Sequence, residues 1–305
     1  MRIAHFSDLH LLSLSGVGPW RFLNKRLTGY ANLRLKRGHI HRASYVRAIA
    51  QEIVRAKVDH VVITGDLTNL ALEPEFELAK TLLRDDLGLD PDDVSVVPGN
   101  HDLYTRGASV SRRFSTYFAE YLKSDLPELA VDVGVGMFPC VKLRGPAAII
   151  GLSSAVPRPP FVAAGKLGEA QLEALSKVLR HPEVRKRTPV ILLHHPAHNP
   201  PSKLKTLLEG LDDATLLWTS VHDVARGMIL HGHLHKRVQR SLPTREGHMH
   251  AVGATSASLH HGNEAKMAGF NLYEIRDDGD IGPIEAHVFD PESGQFRADS
   301  VPSSH

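Results

Sequence analysis

The chain has 305 residues, 42% of them hydrophobic and 23% charged, and a formal net charge of +2 with histidine neutral. This composition indicates a globular protein long enough for a buried core, and the mild charge does not favour nucleic acid as a partner. The lone cysteine, Cys140, excludes an intramolecular disulfide and a cysteine-based zinc site.

Short apolar runs then alternate with longer stretches of helical period. Because the strands are apolar throughout, burial on both faces and parallel βαβ units are expected. Strands are predicted at Ile3–Phe6, Val61–Thr64, Val94–Val97, Ala147–Leu152, Val190–Leu193, Gly227–Leu230, Val238–Leu242, His248–Val252 and Phe270–Ile275, with a last one near Val288 and Phe289. Helices are predicted at Tyr45–Lys57, Glu73–Leu83, Ser111–Leu122 and Glu169–Leu179.

The domain organisation predicted from this pattern is simple. Residues 1–290 form a single domain with a basic insertion at about 19–38, and the polar residues 291–305 form a loose tail. No run approaches the roughly 20 apolar residues that span a bilayer, and no secretory signal is recognisable. The expected location is the cytoplasm, with peripheral contact at the inner face of the membrane as the alternative.

Polar groups with metal-binding chemistry follow five of the predicted strands. Each motif alone has an ordinary explanation as a turn or helix cap, but five in succession are hard to obtain by chance. Because the carboxyl ends of parallel strands meet at one edge of a sheet, these side chains are expected to converge there. The motifs are Ser7-Asp8-Leu9-His10, Gly65-Asp66, Gly99-Asn100-His101-Asp102, His194-His195-Pro196 and His231-Gly232-His233-Leu234-His235.

The side-chain types indicate what binds at this edge. Carboxylates and imidazoles without a thiolate suit Mn²⁺, Fe²⁺ or Zn²⁺, and neighbouring carboxylates repel each other unless a cation neutralises them. In an extended chain residues i and i+2 share a face. Asp8 and His10 can therefore bind one ion, and His233 and His235 have the same spacing.

As a set, these motifs resemble the calcineurin-like metallophosphoesterase superfamily, from residue 3 to about residue 240. Within it the chain looks closest to the bacterial class III cyclic-nucleotide phosphodiesterases, through Ser7-Asp8-Leu9-His10, Thr64-Gly65-Asp66-Leu67-Thr68 and the His-His-Pro step. The resemblance implies an α/β fold, a four-layer α-β-β-α sandwich of two mixed sheets flanked by helices. It also implies a hydrolase with two divalent metal ions, manganese, iron or zinc.

The resemblance also implies a role for each ligand. In the His-His-Pro step the family usually binds metal through the first histidine, so His194 is chosen and His195 is left a supporting or packing role. His231 is expected to be structural. The first metal is assigned to Asp8, His10 and His235, the second to Asn100, His194 and His233, and Asp66 is assigned to both.

The expected mechanism is hydrolysis by a water shared between the metals. Two cations about 3.5–4 Å apart neutralise the phosphoester oxygens and convert that water to a bridging hydroxide, which attacks phosphorus in line with the leaving oxygen. His101 is the predicted catalytic residue, protonating the leaving group or stabilising the charged transition state. Asp102 is predicted to orient its neighbours, with a plain turn residue as the alternative.

A basic stretch separates the first two motifs, and three interpretations of it stay open. It has apolar residues at near-helical spacing and no acidic residue between positions 20 and 37. It can lie on an anionic membrane, cap the site and attract a phosphorylated substrate, or form an ordinary surface helix. The side chains expected to contact substrate or membrane are Trp20, Arg21, Lys25, Arg26, Arg34 and Arg37.

Three functions are considered for this chain. The favoured one is a phosphodiesterase, with 3′,5′-cyclic nucleotides as candidate substrates. The insertion departs from the compact cyclic-nucleotide enzymes, so a membrane-surface pyrophosphatase of a lipid-linked nucleotide such as UDP-2,3-diacylglucosamine is the rival. An inactive scaffold is disfavoured, because every expected ligand type is present. No stable nucleic-acid partner is expected, since aromatic residues make up only 6% of the chain, and the oligomeric state stays open.

Overall fold

The computed structural model describes residues 1–32 and 41–303. Its strands are β1 (Arg2–Phe6), β2 (His60–Ile63), β3 (Val94–Val96), β4 (Val131–Asp132), β5 (Met137–Phe138), β6 (Cys140–Arg144), β7 (Ala147–Gly151), β8 (Thr188–Leu192), β9 (Arg226–His231), β10 (Val238–Pro243), β11 (His248–Gly253), β12 (Gly269–Ile275), β13 (Ile281–Asp290) and β14 (Gln295–Ser300). Its α-helices are α1 (Arg26–Asn32), α2 (Ala43–Ala56), α3 (Glu73–Thr81), α4 (Arg106–Val110), α5 (Arg113–Tyr117), α6 (Glu169–Arg180), α7 (Pro182–Arg185), α8 (Lys203–Glu209) and α9 (Ala214–Val221).

Two mixed sheets make up the centre of this part of the chain. The first has the strand order β14-β13-β12-β1-β2-β3, and the second has the order β10-β11-β9-β8-β7-β6. Pairing is parallel from β1 to β3 and from β7 through β8 and β9 to β11, whereas the remaining pairs of the two sheets are antiparallel. The predicted pair of mixed sheets flanked by helices is confirmed.

The apolar run Val190–Leu193, which forms most of strand β8 and the residue after it, is explained by burial on both faces. Val190 and Leu192 belong to the core that the second sheet shares with β1 and β2, whereas Ile191 and Leu193 pack in the core beneath α6 and α9. Successive side chains of a strand point to opposite faces. Since one face meets the other sheet and the opposite face meets helices, both faces of β8 require apolar side chains.

Helix α2 covers the outer face of the first sheet. Val46, Ile49 and Ile53 recur at spacings of three and four residues, so they share one face, and all three are fully buried. The helix ends where Lys57 adopts a left-handed backbone conformation, with a φ of +49°. Truncation of Ile49 to alanine is expected to cost about 2–5 kcal/mol of stability through the cavity that it leaves.

Two local expectations are wrong. The helix expected over Ser111–Leu122 is interrupted, because Arg112 has a φ of +49° and α5 gives way to a 3₁₀ turn at Ala119–Leu122. The tail expected to be loose instead contains β14, which pairs antiparallel with β13. Because β14 is an edge strand with mostly exposed side chains, its polar composition conceals its backbone pairing.

Across residues 1–32 and 41–303, no helix combines the length and the apolar character that crossing a membrane requires.

Candidate metal centre

The five motifs meet where the carboxyl ends of strands from two different sheets come together. The expectation was a single sheet edge. Strands β1, β2 and β3 of the first sheet and strands β8 and β9 of the second each end beside this point. Main-chain hydrogen bonds tie the loops together, from Asp8 N to Gly65 O at 3.0 Å and from Gly232 N to His194 O at 3.1 Å. The face-to-face packing of the sheets therefore assembles the site.

Five of the candidate ligands have left-handed backbone conformations. Their φ values are +53° for Asp8, +46° for His10, +52° for Asp66, +69° for His233 and +49° for His235. Such conformations cost a residue other than glycine of order 1–3 kcal/mol and concentrate at functional sites. The expectation that Asp8 and His10, and likewise His233 and His235, lie on extended segments is therefore wrong. Two tight turns direct these side chains inward.

The first cluster contains Asp8, His10 and His235. Asp8 Oδ1 lies 3.1 Å from His235 Nε2 and 3.9 Å from His10 Nε2, and the two Nε2 atoms are 3.0 Å apart. Their ligand atoms all lie within 4.8 Å of one another. Two imidazole nitrogens and a carboxylate oxygen directed at one point match the donor set of a transition-metal ion.

The second cluster is centred on His194. Its Nε2 atom lies 3.1 Å from Asn100 Oδ1 and 3.3 Å from Asp66 Oδ2. Its Nδ1 atom donates to Thr64 O at 2.6 Å, which directs Nε2 toward Asp66. The ring of His233 lies 5.1 Å from that of His194. His233 and His235 thus face different clusters, as the family resemblance implies, although their i and i+2 spacing alone would allow both to bind one ion.

Asp66 lies between the two clusters. Its Oδ2 atom is 3.3 Å from His194 Nε2 and 4.0 Å from His10 Nε2, and its Oδ1 atom accepts a hydrogen bond from His101 N at 2.7 Å. A Cβ atom on Gly99 would stand 2.2 Å from both Asp66 N and Asp66 Oδ1. Glycine at position 99 therefore leaves the space in which this carboxylate can bridge two ions.

The electrostatics show a centre that requires positive charge. Burial alone would raise the pKa of Asp8 and of Asp66, but the nearby His235 and His194 lower both below the ordinary value. Burial would lower the pKa of His194, yet Asp66 and Asp8 raise it to about 9. The carboxylates thus favour a proton on His194, and divalent cations can replace that charge. The residues present fit a pair of such ions.

His101 stands at the wall of the cavity above Asp66. Its Nδ1 atom donates to Asn69 O at 2.7 Å, and its ring stacks on Tyr104 with a centroid distance of 5.4 Å. One possible ligand atom of His101 also lies within 4.8 Å of ligand atoms of both His10 and Asp66. By distance alone His101 can be either a proton donor or a ligand, and metal content distinguishes the two roles.

Asp102 links the loops that carry Asp66 and Asn100. It is fully buried, and its carboxylate accepts hydrogen bonds from Gly99 N at 2.9 Å, Thr68 N at 2.9 Å and Thr68 Oγ1 at 3.0 Å. These contacts favour an orienting role over that of a plain turn residue.

His195 and His231 are fully buried beside the clusters. The Nδ1 atom of His195 lies 2.8 Å from Ser154 Oγ, and its Nε2 atom lies 2.8 Å from Ala163 O, so both ring nitrogens have protein partners. His231 Nδ1 lies 3.1 Å from Gly232 O. These contacts agree with the supporting roles expected for both residues.

A cavity of about 640 Å³ opens above the two clusters. Its rim carries Lys205, Lys236 and Lys266, which favour an anionic substrate. His41 also lines it, 4.9 Å from His10 between ring centroids and with its Nδ1 2.7 Å from Ser258 Oγ. The sequence analysis missed these four residues. The repeated His-x-His spacing at positions 39 and 41 is the signal that could have indicated His41.

The insertion binds the domain through its basic side chains. Arg21 pairs with Glu73 at 2.6 Å, Lys25 Nζ donates to Arg158 O at 3.1 Å, and the buried Arg26 donates to two carbonyls of the loop after β2. Trp20 is 69% exposed. Within the described residues 19–32, these three basic side chains thus contact the domain while Trp20 faces solvent. Two further expected contact residues, Arg34 and Arg37, lie outside the described residues.

The sequence model of the calcineurin-like phosphoesterase family matches residues 1–237. The chain therefore belongs to that family, and the predicted resemblance is confirmed at this level. Calcineurin-like phosphoesterases are hydrolases with a dimetal centre, and the two clusters supply candidate ligands for it. A comparison with curated protein sequences found no significant match.

Two solved structures share the fold. A dimetal phosphatase from Danio rerio is 14% identical with a TM-score of 0.57, and the similarity covers 100% of this chain and 99% of that one. The purple acid phosphatase PPD1 from yellow lupin (Lupinus luteus) seeds is 12% identical with a TM-score of 0.55. That similarity covers 100% of this chain but only 54% of the lupin protein. At such identities the comparisons show the fold alone.

Proposed function

We propose that this chain hydrolyses phosphodiesters, with 3′,5′-cyclic nucleotides as the first candidate substrates. The observation that carries the proposal is the position of Asp66 between two clusters of ligand atoms, at the floor of a cavity with a basic rim. A cavity of about 640 Å³ has room for a nucleotide. The open mouth also admits a larger diester.

In the proposed centre, each of the two ions would have its own set of ligands and one shared ligand. Bound there, the ions would supply Lewis-acid stabilisation of the phosphoryl oxygens and activation of water. Asp66 would be shared between them. Asp8, His10 and His235 would hold one ion, and Asn100, His194 and His233 would hold the other.

The remaining groups act on the substrate. His101, held by Asn69 O through Nδ1, would present its protonated Nε2 to the leaving oxygen and give it a proton as the ester bond breaks. Lys205, Lys236 and Lys266 would attract the anionic substrate to the mouth of the cavity.

A hydrolysis screen tests this proposal directly. The purified chain is supplied in turn with Mn²⁺, Fe²⁺ and Zn²⁺ and assayed on bis(p-nitrophenyl) phosphate, p-nitrophenyl phosphate and cyclic nucleotides. We expect the aryl diester to be cleaved faster than the monoester, and at least one cyclic nucleotide to be opened. A preference for the monoester contradicts the diester assignment, and bound metal without turnover on any of these compounds indicates an inactive scaffold.

One observation favours a second candidate, a pyrophosphatase of a lipid-linked nucleotide at the inner face of the membrane. Trp20, Leu23 and Leu27 of the insertion are 69%, 83% and 56% exposed, which suits contact with acyl chains. UDP-2,3-diacylglucosamine in detergent micelles is the test substrate. A kcat/KM about tenfold or more above that for the cyclic nucleotides would favour this function, and no cleavage would remove it.

A further inference from the structure

The insertion presents large apolar side chains to solvent. Leu23 is 83% exposed, Trp20 is 69% exposed and Leu27 is 56% exposed. Single exposed apolar residues are ordinary on protein surfaces, but several on one short segment usually mark a contact surface.

This orientation is fixed by the basic side chains of the same segment. Arg26 is only 4% exposed, and it donates to Leu70 O at 2.7 Å and to Ala71 O at 3.0 Å. Arg21 pairs with Glu73 at 2.6 Å. Because the charged groups are bound to the domain, the apolar side chains of the segment remain directed outward.

The apolar surface continues beyond the insertion. Lys25 Nζ donates to Arg158 O at 3.1 Å, which brings the loop of Phe161 beside the insertion, and Phe161 is 87% exposed. Ala163 N in the same loop donates to Leu208 O at 2.7 Å, which brings α8 beside that loop. In α8, Leu204 and Leu207 are 65% and 64% exposed. We call Trp20, Leu23, Leu27, Phe161, Leu204 and Leu207 the apolar rim.

The charges around the apolar rim indicate its occupant. Lys203 and Lys205 are exposed on α8 between and beside its leucines, and residues 19–30 contain no acidic side chain. Tryptophan with leucine, flanked by lysine, is the combination that enters the interface of an anionic bilayer. Lys205 and Ala163 also line the cavity above the metal centre. The apolar rim thus adjoins the mouth of the proposed active site.

We propose that the apolar rim docks on an anionic lipid membrane, with Trp20, Leu23, Phe161 and the leucines of α8 inserted at the headgroup level. Lys203 and Lys205 then contact the anionic headgroups. Docking brings the mouth of the cavity to the lipid surface. The proposal concerns where the protein binds, so it does not depend on which phosphoester the centre cleaves.

Vesicle binding tests the proposal without any turnover. The full chain is mixed with vesicles of phosphatidylcholine, with and without phosphatidylglycerol, and separated by flotation. We expect binding to the anionic vesicles, weakened by salt. The double variant Leu23→Asp with Leu207→Asp should bind about tenfold more weakly or worse. Val54→Asp is the matched control, because Val54 is 44% exposed on α2, which contributes no residue to the apolar rim, and it should bind as the parent chain does.

Tryptophan fluorescence gives an independent measurement. Trp218 donates its Nε1 atom to Ala197 O at 2.7 Å and packs, half-buried, against the core beneath α6 and α9, so it is expected to be insensitive to lipid. The emission should shift to the blue when anionic vesicles are added, and Trp20→Phe should abolish the shift.

Two results would overturn the proposal. One is a parent chain that binds the vesicles no better than the double variant does, which includes the case that neither protein binds. Circular dichroism and hydrolysis of bis(p-nitrophenyl) phosphate, the same for both proteins, show that the variant is folded in that experiment. The other is a parent chain that dimerises in gel filtration and ignores vesicles, with a double variant that is monomeric. That second outcome would assign the apolar rim to contact with another copy of the chain.

Discussion

His101 Nδ1 donates a hydrogen bond to the main-chain oxygen of Asn69 at 2.7 Å. The side-chain amide of Asn69 in turn donates to the carbonyl of His10. One residue therefore connects the proposed proton donor to a candidate ligand of the first metal. The orientation of His101 depends on the loop after β2, and groups outside the metal clusters hold that loop in place.

Replacement of His101 by alanine tests its role as a proton donor. We expect turnover of the diester to fall by about 10²–10⁴-fold, the usual contribution of general acid catalysis, while two metal ions remain bound. Metal content by mass spectrometry and kcat on bis(p-nitrophenyl) phosphate check this. A parallel loss of metal would show that His101 is a ligand. His222→Ala, at an exposed position in a different part of the chain, is the control.

Replacement of Asp66 by asparagine tests the shared position between the clusters. Asparagine has nearly the same size but offers a neutral oxygen, so we expect metal affinity to fall and turnover to be lost together. Equilibrium dialysis against Mn²⁺ or Zn²⁺ measures the affinity. Asp85→Asn, at an exposed position that pairs with Arg84, should leave both quantities unchanged. Full metal occupancy in Asp66→Asn would contradict the assignment of Asp66 to both ions.

Replacement of Arg26 by methionine tests the anchor of the insertion. The carbonyl of Leu70 would lose its buried donor, and that of Ala71 would keep only Arg113 Nη1, so we expect a destabilisation of about 2–5 kcal/mol. Urea unfolding measures the change. Arg47→Met removes a guanidinium that is 59% exposed and 3.8 Å from Asp86, and it should cost less than about 1 kcal/mol. Similar costs for the two variants would show that Arg26 does not anchor the segment.

Glu75 gives the stability of the chain a defined pH dependence. Burial raises its pKa from the ordinary 4.5 to about 8. The folded chain therefore retains a proton that the unfolded chain releases. The resulting stabilisation is complete below pH 4.5 and is lost as the pH rises to about 8.

The matched variants for this effect are Glu75→Gln and Glu77→Gln. Relative to Glu75→Gln, the parent chain should lose about 1.4 kcal/mol of unfolding free energy per pH unit between roughly pH 5 and 8. Urea unfolding at several pH values gives the difference, and contributions from the histidines cancel because both proteins contain them. Glu77→Gln makes the same substitution at an exposed position of the same helix and serves as the control. A flat difference for Glu75→Gln would mean that its carboxyl is ionised in the folded chain.

The sequence by itself determined which residues gather at the centre. Asp8, Asp66, Asn100, His194 and His233 each follow an apolar strand, and the position of a residue just after a buried strand is a local property of the chain. The hydrophobic runs likewise predicted most strands of the two mixed sheets. The resemblance to the family rested on these same motifs, and the family match agrees with it.

Only the tertiary structure decided how those residues face one another. The left-handed turns at Asp8 and His235 and the position of His41 beside His10 depend on contacts between residues far apart in sequence. The pattern of the insertion indicated an amphipathic segment but not its orientation. Arg26 faces inward because two carbonyls of the loop after β2 accept its protons, and no local pattern encodes such partners.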